Sequence, residues 1–182
     1  MPHITQIAAV ELESGSSFNC YVVPKVPISA PAQQITGIVV SDSGSMVVKG
    51  EPVEAENITH AVHKFMTWIE DFPNVILVAH YGRRFDFPVL VSTLDSLDVI
   101  SRCFGCVRGF IDSIEVFRKV FPNQTSYKQV DLARMLLQET YSAHNAIEDV
   151  EVLGKLMEHA SMEDSDLMKH RFTPRDVLNQ IN

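Results

Sequence analysis

Three side chains in this sequence have types and settings suited to hydrolysis. Asp86 closely follows the apolar run Val75–Ala79, and His144 and Asp149 stand together later in the chain, at the start of a helical pattern. Carboxylates hold divalent cations and an imidazole takes a proton from water near neutral pH. A histidine and two acids gathered at a sheet edge are therefore the ingredients of metal-assisted phosphodiester hydrolysis. Taken singly, each has a bland explanation: Asp86, Glu148 and Asp149 complement a helix N-terminus, and His144 is a surface residue. Their conjunction in one chain, with a buried strand before Asp86 and a further strand between the two clusters, favours the chemical reading.

The elements that would carry them can be read from pattern. ITQIAAVEL (4–12) and FNCYVV (18–23), separated by the turn-like ESGSS, predict a hairpin. Pro24, Pro27 and Pro31 are expected to stop regular structure, leaving QQITGI (33–38) as a helical turn or loop and 39–53 as loop with one short strand near Met46–Val48. Asn57 caps a helix whose buried face is Ile58, Ala61, Val62, Phe65, Met66 and Ile69, ending by Asp71 and Pro73. Val75–Ala79, short and wholly apolar, predicts a strand covered on both faces.

A second helix is expected from about Pro88 to Leu97, then a strand over Val107–Ile111 ending at Asp112, which should cap the next helix. Helical pieces follow at 114–120 and 129–137, around a turn at 122–126. Asn145 and Glu148 have capping spacing for the last strong helix, where Asp149 borders the stripe Ala146, Val150, Leu153, Met157 and Ala160. Two strands, then strands alternating with helices, predict an α/β layer fold with a mixed sheet, formed by one domain over 1–160. Residues 161–182 read as a polar tail with short, loosely packed helical turns.

Composition narrows the partners. A chain of 182 residues, 46% hydrophobic, suits one domain with a real core. The net charge of −8 argues against wrapping a long nucleic acid, which needs many Lys and Arg on phosphates. It is compatible with gripping a strand end through a small basic rim drawn from Arg83, Arg84, Arg102, Arg108 and Lys128. Cys20, Cys103 and Cys106 are too few for a disulfide framework, and the lone CxxC of the last two reads as idle thiols. No long apolar run and no leader pattern is present, so a soluble intracellular protein, nuclear or cytosolic, is expected.

Two segments carry a family resemblance. AHYGRRFDFPVL (79–90) is similar to the second motif of the DEDDh class of 3′→5′ exonucleases, and SAHNAIEDVEVL (142–153) resembles its third, with His144 and Asp149 at the class spacing. The likeness runs over about residues 4–158. Its flavour is closest to the three-prime repair exonucleases and the exonuclease-like C-terminal domain of the longest promyelocytic leukemia protein isoform. It implies a ribonuclease H-like mixed sheet flanked by helices, with Asp86 and Asp149 holding two Mg²⁺ or Mn²⁺ ions and His144 as general base for the attacking water. The implied substrate is the 3′ end of single-stranded DNA or RNA. Ile35, Thr36, Gly37 and Ile38 would lie near the terminal nucleotide, with Tyr81, Arg83 and Arg84 among the substrate contacts.

Two departures stand out. Tyr81 replaces the Asn usual after Ala-His. The family's first motif, an Asp-x-Glu on the first strand, should come just before ITQIAAV, where only three residues precede Ile4. Glu11 and Glu13 have the spacing but sit in the hairpin and read as hairpin acids. The first strand is thus expected to be missing or replaced, with two of four carboxylates gone. That leaves a rival reading, a catalytically inactive protein-interaction domain on the same scaffold.

Overall fold

In the computed structural model, which describes residues 3–182, the first hairpin forms as expected from β1 (Gln6–Val10) and β2 (Ser17–Val22), antiparallel. Glu11 closes its turn, accepting hydrogen bonds from the Ser14 N–H and hydroxyl. The prolines do not end all regular structure. The Ser29 hydroxyl accepts from the Ala32 N–H, and Pro31 occupies the first turn of α1 (Ala30–Thr36), where its missing donor is not needed. The stretch read as loop folds into a meander of β3 (Ile38–Val40), β4 (Met46–Val48) and β5 (Glu51–Val53). Three-residue strands show too little alternation to be seen in sequence, but Ile38, Met46 and Val48 give this meander its own small core.

After β6 (Ala55–Glu56), which pairs parallel with β2, comes α2 (Ile58–Glu70), capped by Asn57 with the predicted face buried. β7 (Val75–Ala79) leads to α3 (Asp86–Ser96) and to α4 (Ile100–Cys106), a helix whose short, Gly-containing sequence gave no periodic signal. β8 (Val107–Asp112) runs parallel to β7, and Asp112 caps α5 (Ser113–Val120) as read. The 129–137 piece is α6 (Gln129–Leu132) widening into a π turn over Ala133–Leu137, followed by α7 (Ala146–Ala160).

Two helix-facing cores sandwich the strands. One joins α2, α3, α4 and β8 through Phe65, Met66, Phe87, Val91, Leu94 and Phe110; the other joins α5, α6 and α7 through Val116, Phe117, Leu132, Leu153 and Leu156. The sheet itself is divided: β1–β2–β6 form one ribbon and β7–β8 another, with no hydrogen-bonded pairing between them among the described residues.

The C-terminal segment carries the expected short helices, α8 (Asp164–Leu167) and α9 (Pro174–Ile181), but it is not loosely attached. Phe172 and Val177 are buried in the first core, and Phe172 pairs antiparallel with Phe110 on the outer edge of β8. A polar composition hid this because only a few side chains do the docking. No helix is long and apolar enough to cross a membrane among the described residues.

Candidate active site

The site is built at the C-terminal ends of β7 and β8. Beyond Ala79 the chain turns tightly through Tyr81, whose φ is +57°, and Gly82. A side chain at 82 would stand 2.5 Å from the Phe87 ring and 2.8 Å from the Ala79 methyl, so glycine lets the turn fold onto Phe87. The result starts α3 at Asp86, in the helix's first turn. Asp112 ties this turn to β8: its buried carboxylate accepts from the Ile114 N–H at 3.1 Å and from the Arg83 N–H at 3.1 Å.

On the other side, His144 takes a left-handed conformation (φ +71°) and stands exposed just before the helix cap Asn145. The Asn145 side chain accepts from the Ile147 N–H, and the Gln6 side chain of β1 accepts from the Ala146 N–H, fixing where α7 begins. Asp149 follows one turn in, half-buried. Gln129 donates to the Asp149 carbonyl at 2.8 Å and to the Tyr141 hydroxyl at 3.0 Å.

Electrostatics link the two halves. Asp86 is held above the ordinary carboxylate range, first by the protein crowding its carboxyl and then by the negative charges of Asp112 and Asp149. Asp149 is also raised, by burial, against the lowering effects of the Tyr141 hydroxyl and the His144 charge and N–H. Burial and the Asp149 charge push the Tyr141 phenol up to about 12. The Asp149 charge thus reaches Asp86, and His144 acts on Asp149.

The remaining expected contacts divide. Ile35 is exposed at the end of α1, Gly37 caps that helix in the left-handed conformation, and Ile38 is buried as the start of β3. Thr36 turns its hydroxyl back to the Ala32 carbonyl. Lys49 connects this region to the His144 loop, its main-chain N–H donating to the Gly37 carbonyl and its ammonium to the Ser142 hydroxyl at 2.8 Å. Arg83 is engaged structurally, with its guanidinium 3.2 Å from Glu115 and 3.8 Å from the centre of the Phe172 ring. Arg84 lies over the exposed Phe85 ring, and Tyr81 packs edge-on against His80. Of the rim cations, Arg102 is bound to Glu70 and His63, away from the site residues.

His80 bridges two segments. One ring nitrogen donates to the Tyr127 carbonyl at 2.6 Å and the other accepts from the Ser113 hydroxyl at 2.8 Å, pinning the loop that leads into α6. Gln129 and Tyr141 carried no sequence signal, because their partners lie twenty and eight positions away.

Whether these side chains suit a metal pair can be tested on geometry. Among the described residues no three His, Cys, Asp or Glu side chains gather closely enough to hold an ion. Asp86, Asp149 and His144 do not by themselves fit a two-ion site.

Comparison with known proteins identifies the scaffold. The sequence profile of the Exonuclease family (RNase_T) matches residues 1–157. The chain belongs to this family. Among relatives of this exonuclease-family domain, the 3′-5′ exonuclease DinG of Bacillus subtilis (strain 168) is 30% identical over 98% of the chain. A DNA polymerase III of PolC type from Halalkalibacterium halodurans is 26% identical over the same share. The chain spans only 17% and 11% of the lengths of these two proteins.

Solved structures agree on the ribonuclease H-like fold. Exonuclease I superposes with a TM-score of 0.70 at 17% identity, covering 91% of this chain and 38% of that one. E. coli exonuclease I in complex with a dA16 oligonucleotide gives 0.69, as does a zinc-bound form of its complex with single-stranded DNA. Exonuclease X in complex with 5′ overhanging duplex DNA gives 0.52 over 89% of its length.

Proposed function

We propose that this chain is the nuclease domain of a 3′→5′ exonuclease acting on single-stranded DNA or RNA ends. The observation that carries this reading is the Exonuclease family match over residues 1–157, within which Asp86 starts α3 beyond β7 and His144 and Asp149 stand at the start of α7. In this reading His144 takes the proton of the attacking water. Ile35, Thr36, Gly37 and Ile38 lie near the terminal nucleotide, with Tyr81, Arg83 and Arg84 among the substrate contacts. Asp86 and Asp149 are the ligands the chain offers to Mg²⁺ or Mn²⁺, and further oxygen donors are needed to complete such a set. The segment AHYGRRFDFPVL supports a nearer affinity to the three-prime repair exonucleases and the promyelocytic leukemia protein domain. The reading also includes an intracellular location, nuclear or cytosolic, and a unit covering 1–160.

Digestion of a 5′-labelled single strand with Mg²⁺, Mn²⁺ or EDTA tests it. The expected result is a ladder shortened from the 3′ end, absent with EDTA and lost in Asp86→Ala, Asp149→Ala and His144→Ala. Equal digestion by wild type and both carboxylate variants would refute the assignment.

The net charge of −8 motivates one rival, a catalytically inactive protein-interaction domain on the same scaffold. For that reading wild type releases no nucleotides with either metal.

A further inference from the structure

With 15 lysines and arginines against 23 acids, most cations of this chain should find a carboxylate. The seven ion pairs among the described residues use Arg83, Arg102 and Arg134 but none of the other five arginines. One of those five, Arg118, lies over Tyr127 beside the second core. The remaining four, Arg84, Arg108, Arg171 and Arg175, are all exposed. Together with Arg83 they run from the turn that presents Asp86, along the outer edge of β8, to the start of α9.

Each member is placed by a contact. Arg83 stands 3.8 Å over the centre of the Phe172 ring, and its neighbour Arg84 lies 5.3 Å from that of the exposed Phe85. Phe172 pairs with Phe110, which sets Arg171 against the same edge of β8. Gly109 leaves room for it: a methyl there would collide with the Arg171 side chain, whose guanidinium donates to the Arg108 carbonyl at 2.8 Å. Arg175, in the first turn of α9, stands 4.3 Å over the Phe104 ring of α4. The charges of Arg171 and Arg83 both reach Asp176, whose carboxyl is held below its usual range, first by the Thr173 N–H. That acid is already engaged, because it accepts the Thr173 N–H at 2.9 Å to cap α9. Arg171 and Arg175 lie beyond residues 1–157, so the C-terminal segment adds its cations to those of the family domain.

We propose that this row of arginines is a docking track for the phosphate backbone of a single-stranded nucleic acid, holding the part of the strand upstream of its 3′ end. The proposal rests on the reading of Asp86, His144 and Asp149 as the place that receives that end. A guanidinium matches the oxygens of a phosphate two at a time, and a strand presents such groups in succession, as the row does. The exposed Phe85 ring and the Arg175 guanidinium over Phe104 add surfaces on which bases stack regardless of sequence. Those surfaces favour a nucleic acid over an acidic peptide, which has no bases to set on them. A track of this kind also reconciles a net charge of −8 with a polyanionic ligand, since counterions are displaced at a few arginines and not over the whole surface.

The test reads binding without cleavage. A 5′-fluorescein strand of about twenty nucleotides, as DNA and as RNA, is titrated with the full chain in EDTA, and anisotropy gives the affinity over a range of salt concentrations. Arg171→Gln with Arg175→Gln should weaken binding by about tenfold at low salt. The same pair should flatten the plot of log affinity against log salt by about 1.4, two phosphate contacts at ~0.7 each. Arg108→Gln with Arg175→Gln leaves the Arg171 side chain in place and should act alike, which guards against a folding failure of the first pair. Arg171→Lys with Arg175→Lys keeps the charge and should keep the slope. Unchanged affinity and slope in both Gln pairs, no binding of either strand by wild type, or equal competition by a poly-glutamate chain of the same charge would each overturn the proposal. Digestion with Mg²⁺ separates it from the nuclease reading. A slope lost in the variants while wild type releases no nucleotides sustains the track and refutes the catalytic assignment; digestion with an unchanged slope does the reverse.

Discussion

The β7–β8 ribbon has two edges, and they met different fates. On the β8 side, Phe172 closes the edge with a reciprocal pair of main-chain hydrogen bonds to Phe110, at 2.7 and 3.0 Å. Its ring stands edge-on to Phe87 and Phe110, which themselves stack at 4.2 Å, and Arg83 covers it from outside. On the β7 side the outward groups of Ile76 and Val78 find no main-chain partner among the described residues. The difference shows how little is needed to close an edge: two hydrogen bonds and one aromatic anchor suffice when the anchor enters a core already lined by rings.

The largest change to this contrast should come from Phe172→Ala. It removes a buried ring from an aromatic cluster and should cost about 3–5 kcal/mol, lowering the melting temperature by ~6–20 °C in a domain of this size. Chemical denaturation reads the energy, and hydrogen exchange at Phe110 should rise to resemble that of Val78. Gly109→Ala is a smaller blow at the same place. The added methyl would meet the flexible Arg171 side chain, which can move, and the Phe172 carbonyl at 3.2 Å, which can move only with its strand. A loss of ~1–3 kcal/mol is expected, again by denaturation.

The contrast recurs at the ribbon's end, between a ring held neutral by burial and an acid whose pKa is raised. Burial holds His80 below the usual imidazole range, so the folded state prefers it neutral and the unfolded state binds the proton first. That contribution is full above the unfolded value of about 6.5 and is lost as pH falls from there toward the folded value. His80→Gln should flatten the fall in stability on acidification, measured by urea unfolding between neutral and mildly acidic pH.

Asp86 has the opposite sense. A carboxyl raised in the folded state keeps its proton longer there, so stability declines as pH rises from the unfolded value through the folded one. Because Asp86 is partly open to solvent, the effect is screened. Asp86→Asn should raise the melting temperature at neutral pH by only ~1–3 °C, an advantage that vanishes in acid. Thermal scans at the two extremes check it, and an Asn variant no more stable than wild type at neutral pH would remove the charge crowding inferred for this site.

The sequence by itself determined the elements whose signals are local. The cap and buried stripe of α2, the apolar run of β7, the Asp112 cap and the Asn145 start of α7 each depend on residues within a few positions of one another. So does the order of motifs that pointed to the exonuclease family. What the tertiary structure decided depends on contacts that cross the chain. The meander was hidden because its strands are three residues long. The docking of Phe172 was hidden because one ring carries it through a polar segment. Gln129 and Tyr141 join Asp149, and Arg83 meets Glu115 and Phe172, through partners no spacing rule connects. The division of the sheet belongs here as well: hydrogen bonding between strands is a property of neighbours in space, and an apolar strand reads the same whether its edge is paired or open.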